Sequence, residues 1–189
     1  MSIKKLFSQL KQFRNDINVP VLLMGYLNPL LQYGFEKFCA EAAAAGIDGI
    51  IIPDLPEYEF EKQYGVVLKK YGLDFIFLVT PRTSDERIKK LDELSDGFLY
   101  AVTSSSTTGG DNNMQDVTGY LERLKKMKLK NPVLAGFGIR DKNGFEEACK
   151  YASGAIIGSA YIKAIQQGPF VTPRDVNAAT KSFLSSITG

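Results

Sequence analysis

The chain alternates between short runs of apolar residues and longer segments in which apolar residues recur with helical spacing. Runs of strand length without polar alternation are typical of strands buried on both faces of a parallel sheet. Six such runs predict strands: residues 19–26, 49–53, 75–79, 97–102, 132–137 and 154–157. Helices are predicted over residues 3–15, 35–45, 57–71, from Ser84 onward, and over 117–128, 142–151, 160–166 and 172–187.

This alternation predicts an α/β protein, and its loops favour a (β/α) barrel. The links into the strands are short, as at residues 46–49 and 95–97, whereas the loops after the strands are longer and more varied. A doubly wound open sheet is the alternative, but its glycine-rich fingerprint is missing after the first strand. Six strands and a helical start predict a six-strand portion of a (β/α)8 TIM barrel, lacking the first two strands and the helix between them. Residues 1–189 would form this single partial domain.

Composition and charge exclude several classes of function. The 189 residues, 44% of them hydrophobic, suffice for a sizeable core. The net charge is +2 with interspersed acids and bases, so neither nucleic acid nor a membrane is an expected partner. No histidine is present, which removes histidine triads and histidine-ligated metals; we expect no metal and no cofactor. Two cysteines without ligand spacing and the lack of a signal peptide predict a reduced, cytoplasmic protein.

Candidate chemistry lies where the strands end, because barrel enzymes build their sites at the C-terminal ends of the strands. Tyr26 lies at the end of the first strand and is either a pocket wall or a core or rim aromatic. Asp54, between two prolines after the second strand, is either a catalytic acid or a turn-and-cap aspartate. The long polar loop after the fourth strand, residues 103–113, favours a lid over a plain surface loop.

Two glycine turns end the fifth and sixth strands, at residues 136–138 and 158–160. Glycine lets a ligand approach the backbone closely, and the start of a helix offers free N–H groups. This fold often holds a phosphate after its last two strands, beside a short extra helix, and residues 160–166 could form that helix. A phosphate site is therefore predicted here, with tight turns that bind nothing as the alternative.

Five motifs occur in order and with matching spacing over essentially the whole chain: LLMGYLNPLLQYG, GIDGIIIPDLP, GFLYAVTSSSTTGG, GFGIR and GAIIGSAYIK. Together they resemble the tryptophan synthase α chain family. The resemblance implies a (β/α)8 lyase of tryptophan biosynthesis, which cleaves indole-3-glycerol phosphate to indole and glyceraldehyde 3-phosphate by a retro-aldol reaction. It also implies a pyridoxal-phosphate β chain as the partner that receives the indole, in an α2β2 heterotetramer.

The resemblance also assigns roles to individual residues. Asp54 and Asn28 match positions on the face that meets the β chain, where Asp54, near the lid threonine, would transmit closure rather than transfer a proton. Met24 and Leu78 match further positions of the indole-side pocket, on a looser correspondence of motif. Substrate-binding roles fall on Tyr26 and Tyr100 beside the indole, Thr108 and Gly109 in the lid, and Phe137, Gly138, Gly158 and Ser159 around the phosphate.

One departure from the family concerns catalysis itself. The family's catalytic pair, a glutamate ending the second barrel strand and an aspartate in the following loop, has no match in this sequence. The reaction needs an acid to protonate the indole ring carbon and a base for the proton of the glycerol hydroxyl. We therefore expect an N-terminally incomplete fragment that is inactive alone. One alternative is a non-catalytic phosphate-binding barrel that binds or activates a β chain. The other is a phosphate-binding barrel with different chemistry, but the PDLP motif and the Thr-Gly loop argue against it.

Overall fold

The computed structural model describes residues 2–103, 114–136, 138–166 and 172–189. Its strands are β1 (Leu22–Met24), β2 (Gly49–Ile51), β3 (Asp74–Phe75), β4 (Leu78–Val79), β5 (Leu99–Val102), β6 (Val133–Gly136) and β7 (Gly154–Ile156). Its α-helices are α1 (Ile3–Phe13), α2 (Leu27–Tyr33), α3 (Phe35–Ala44), α4 (Glu57–Glu59), α5 (Gly65–Lys70), α6 (Asp85–Leu94), α7 (Met114–Lys126), α8 (Lys142–Cys149), α9 (Ser159–Gln166) and α10 (Pro173–Thr188). A 3-10 turn (Arg14–Asp16) follows α1, and a π-helical segment (Phe60–Tyr64) joins α4 to α5.

The strands form two sheets in sequence order, β1-β2-β3 and β4-β5-β6-β7. The pairs β1–β2, β2–β3, β5–β6 and β6–β7 are parallel, and helices connect them, as the sequence predicts for an α/β protein. The chain divides into two compact units, Met1–Leu78 with Lys90–Gly97, and Val79–Lys89 with Phe98–Gly189. A single domain over residues 1–189 stays a prediction.

The core of the first unit forms around β2, the central strand of β1-β2-β3, whose residues are all buried. Three rings pack beside it: Phe75 lies 4.7 Å from both Phe60 and Phe77, centroid to centroid. Cys39 of α3 is fully buried, and this burial is the main reason that its thiol pKa is raised to about 12. Such a thiol stays protonated and unreactive, which fits a structural cysteine.

In the second unit the core lies between β5 and β6 and the helices around them. Leu99 and Ala135 are fully buried, as is Leu124 of α7. The last helix, α10, begins at Pro173 behind a capping box, in which Asp175 N–H donates to Thr172 Oγ1 and Thr172 N–H donates to Asp175 Oδ2. Pro173 occupies the first position of this helix, where its missing N–H costs nothing and its fixed φ suits the helix. None of the helices in the described ranges is both long and apolar enough to cross a bilayer.

Two elements differ from the sequence prediction. Residues 75–79, predicted as one strand, form two short strands, because Phe77 N–H leaves the ladder and donates to the hydroxyl of Ser95 at 3.1 Å. The segment after β1, predicted as a loop, forms helix α2. Smaller shifts affect the ends of elements, such as α9, which begins at Ser159 instead of residue 160.

Asp74, at the start of β3, gives a pH-dependent prediction. Burial first, then the charges of Asp96 and Asp48, raise the pKa of its carboxyl. A raised folded-state pKa means that ionised Asp74 opposes folding above that pKa, and the penalty disappears as pH falls below the ordinary aspartate value of about 3.9. Asp74→Asn is therefore expected to raise the Tm at pH 7 and to leave it unchanged below that value. Thermal unfolding across pH checks this, with Asp16→Asn, an exposed aspartate in the 3-10 turn, as the control.

Candidate functional site

The ends of β1 and β2 meet in a hydrogen-bonded corner. Gly25 N–H donates to Ile51 O at 3.1 Å, and Leu27 N–H donates to Asp54 Oδ1 at 2.9 Å. Asp54 thus occupies the turn-and-cap position, one of the two alternatives that its sequence context left open. Tyr26 is 67% exposed and immediately precedes α2, which excludes a core position for its ring. Two further predicted residues of this unit differ in exposure: Asn28 is exposed on α2, and Leu78 is half-buried.

The ends of β5 and β6 are closely packed around Gly136. The ring of Tyr100 covers this glycine so tightly that a Cβ built on it would lie 2.3 Å from Tyr100 Cε2. Tyr100 is 5% exposed, and burial raises the pKa of its phenol, which is therefore neutral at physiological pH. Thr103 N–H and its Oγ1–H both donate to Gly136 O, at 2.9 and 2.8 Å. Tyr100 is thus a largely buried side chain packed on the end of β6.

The two predicted glycine turns lie side by side. Because β6 and β7 are parallel and Gly136 pairs with Ile156, Gly138 and Gly158 each follow that pair by two residues at the same end of the sheet. Both glycines are exposed, and a Cβ built on either would have no neighbour within 4 Å. Gly138 has a φ of +88°, a left-handed conformation that favours glycine. Ser159 follows Gly158 directly and begins α9.

This arrangement suits an anion. The first N–H groups of α9 have no partners within the helix, and the helix dipole favours negative charge at that end. The open backbone at Gly138 and Gly158 leaves room for a ligand to approach. The predicted residues Thr108, Gly109 and Phe137 lie outside the described residues. Among the described residues, no group of three or more His, Cys, Asp or Glu is placed to hold a metal ion.

Arg123 of α7 was not singled out from the sequence, yet it organises the turn after β4. Its Nη1 donates to Pro81 O at 3.2 Å, its Nη2 donates to Thr83 O, and its Nε lies 3.2 Å from Asp85 Oδ1. These partners lie about 40 residues earlier in the chain, so no local pattern could reveal the contact. The guanidinium fork fixes both the turn and the start of α6.

Replacing Arg123 with alanine should destabilise the chain. Two carbonyl contacts and one ion pair at a half-exposed side chain are expected to contribute about 1–2 kcal/mol to the free energy of unfolding. Arg82→Ala is the matched control, since Arg82 is an exposed arginine in the same turn and its loss should change stability by less than about 0.5 kcal/mol. Urea denaturation measures both, and equal effects of the two changes would contradict the role of Arg123.

The chain has relatives among known proteins. A family model described as "Tryptophan synthase alpha chain" matches residues 1–185. The tryptophan synthase α chain of Christiangramia forsetii is 49% identical over 168 residues, covering 88% of this chain and 66% of the relative. That of Flavobacterium johnsoniae is also 49% identical, over 170 residues, with the same coverage. The chain thus spans just under two thirds of the length of the curated relatives that it matches.

Solved structures agree. The tryptophan synthase α chain of Legionella pneumophila superposes with a TM-score of 0.81 at 31% identity, over 99% of this chain and 68% of that one. A chain in the tryptophan synthase complex of Pyrococcus furiosus gives a TM-score of 0.81 at 28% identity, over 100% of this chain and 74% of that one. These neighbours are TIM barrels, so the predicted fold class is confirmed: the described strands are barrel strands. By motif, model and structure, the chain belongs to the tryptophan synthase α chain family.

Proposed function

We propose that the chain carries the phosphate-holding end and the partner face of a tryptophan synthase α chain. Its substrate would be indole-3-glycerol phosphate, and its partner a tryptophan synthase β chain in an α2β2 assembly. In that role Gly138, Gly158 and Ser159 hold the phosphate, Tyr26 and Tyr100 keep the indole-side roles that their motifs imply, and Asn28 and Asp54 lie on the partner face. Thr108, Gly109 and Phe137 keep the substrate-binding roles that their motifs imply.

One observation carries this proposal: the two open glycine turns lie at the same end of paired strands, next to the start of α9. A phosphate needs several N–H donors that converge on one point, together with a backbone that it can approach closely. The open turns after β6 and β7 and the adjacent start of α9 support a site of this kind within one parallel pair of strands. The family match favours indole-3-glycerol phosphate as the phosphate ester, since the fold alone would fit many.

Catalysis by the 189 residues alone is not part of the proposal. Cleavage breaks the bond between indole C3 and the glycerol carbon: C3 must take up a proton while the hydroxyl on that carbon loses one to form the aldehyde. The glutamate and aspartate that do this in the family have no match here. The residues present would bind and orient the substrate. A fold that binds without reacting is also what the second candidate function requires, a non-catalytic barrel that binds or activates a β chain.

Binding of a simple phosphate ester tests the site. Glycerol 3-phosphate titrated into isotope-labelled chain is expected to shift the amide resonances of Gly138, Gly158 and Ser159. Amides at the opposite end of the same strands, such as Ser153, serve as the internal control, because they belong to the same unit and lie away from the turns. Shifts absent from the glycine turns, or concentrated elsewhere, would contradict a phosphate site here.

A further inference from the structure

Helix α2 begins without a cap from its own sequence. Tyr26, which precedes it, makes no side-chain capping bond, and its first turn contains no acidic residue. The cap comes instead from the loop after β2, because the carboxylate of Asp54 accepts the N–H of Leu27 at 2.9 Å. Donor and acceptor are 27 residues apart in the chain, which is unusual for a contact that is normally made within three residues.

The acceptor side of this contact is the stiffer one. Asp54 lies between Pro53 and Pro56, both of which restrict the backbone, and Leu55 N–H closes a turn onto Ile52 O at 3.1 Å. The donor side is a helix of only seven residues, too short to hold itself in place. The loop after β2 therefore sets the position of the helix, and not the reverse.

Two residues with proposed roles flank the bonded amide. Tyr26 precedes Leu27 at the N-cap of α2, and Asn28 follows it in the first turn; both side chains are exposed. A shift of the start of α2 would move both. The hydrogen bond from Leu27 N–H to Asp54 therefore sets the positions of both Tyr26 and Asn28.

We propose that Asp54 is a positioning residue, whose carboxylate fixes the start of α2 and through it the places of Tyr26 and Asn28. It acts through the amide of Leu27, and its effect on the β chain does not require direct contact with that chain. This inference rests on the proposed function for what Tyr26 and Asn28 do, but the cap itself can be tested without it.

Four variants separate the cap from other roles of the carboxylate. Asp54→Ala removes the acceptor, whereas Asp54→Asn keeps an acceptor oxygen without the charge. Leu27→Pro removes the donor: proline suits the first position of a helix, and Tyr26, at φ −90° and ψ 153°, already has the extended conformation that a following proline requires. Leu27→Ala controls for the lost side chain, because it keeps the N–H.

Amide hydrogen exchange, followed by NMR, reports the cap directly. Asp54→Ala and Leu27→Pro should each lower the protection of the α2 amides about fivefold and shift the resonances of Tyr26 and Asn28. Asp54→Asn and Leu27→Ala should stay within about twofold of the parent chain. Unchanged exchange in α2 for both Asp54→Ala and Leu27→Pro would overturn the proposal, whatever the partner does.

Affinity for a tryptophan synthase β chain, measured by calorimetry, is the second readout. Asp54→Ala and Leu27→Pro should each weaken binding about fivefold, and the double variant should be no weaker than either, since both remove the same bond. If Asp54→Ala weakens binding and Leu27→Pro does not, the carboxylate contacts the partner directly and the proposal is overturned. If the parent chain does not bind the β chain at all, the proposed partner is wrong, and the exchange experiment still decides the cap.

Discussion

Supplied with indole-3-glycerol phosphate, the 189-residue chain is expected to release indole at less than about 10⁻⁴ of the rate of the Christiangramia forsetii α chain. A positioned acid and a positioned base each contribute about 10²–10⁴ to such a reaction, and the sequence offers a match for neither. Indole release, followed continuously with and without a β chain, gives the measurement. The phosphate titration described above shows in parallel that the protein in the assay is folded and binds a ligand.

A chimera tests whether the family's catalytic carboxylates are what the reaction lacks. The segment of the Christiangramia forsetii α chain that would carry its catalytic pair is fused in front of residue 1, and the fusion should release indole. Replacing the glutamate and aspartate of that segment with glutamine and asparagine is the matched control, which should abolish the gain. Turnover by the 189-residue chain alone, within a hundredfold of the relative, would show that other groups perform the proton transfers.

Gly136→Ala should be among the most destabilising small substitutions in the chain. The new Cβ would lie 2.3 Å from Tyr100 Cε2 and 2.5 Å from its hydroxyl oxygen, far inside contact distance. The ring is largely buried, so overpacking should cost about 1–3 kcal/mol in the free energy of unfolding. Urea denaturation measures the loss, and the near-ultraviolet signal of the tyrosines should change with it.

Gly119→Ala is the natural control for that change. Gly119 is exposed in α7, and a Cβ built there meets nothing within 4 Å, so alanine should stabilise the helix by about 0.5–1 kcal/mol. A second change, Tyr100→Leu, should recover part of the stability lost in Gly136→Ala, since it removes the ring that clashes. Equal stabilities of the Gly136→Ala and parent chains would show that β5 and β6 can separate at little cost.

The elements predicted best from the sequence are those whose causes are local. Buried strands need only an apolar run, and the predicted helices that start at Ser84 and Thr172 are capped by side chains within three residues of the amides that they accept. The same holds for the glycine turns at Gly138 and Gly158, which need only a residue that tolerates a close approach or a left-handed backbone. The predicted phosphate site follows from these turns, so its framework could be predicted as well.

The features that the sequence did not predict depend on partners distant in the chain. Helix α2 contains Pro29 and lacks a local cap, so it resembles a loop until Asp54 is brought to Leu27. The break between β3 and β4 depends on the hydroxyl of Ser95, 18 residues beyond the amide that it accepts. Arg123 holds a turn about 40 residues before it. Each contact exists only after the chain has folded, and no periodicity or spacing encodes it.

The two hydrogen bonds that Thr103 donates to Gly136 O, at the end of β6, have an electrostatic consequence for any anion there. A carbonyl oxygen has two lone pairs, and at Gly136 O one accepts the Thr103 N–H and the other its hydroxyl. With both lone pairs engaged, this oxygen presents less bare negative potential to the space beyond the strand than a free carbonyl would. The strand end is thereby made less repulsive to negative charge by a neutral side chain, in a chain that has no histidine.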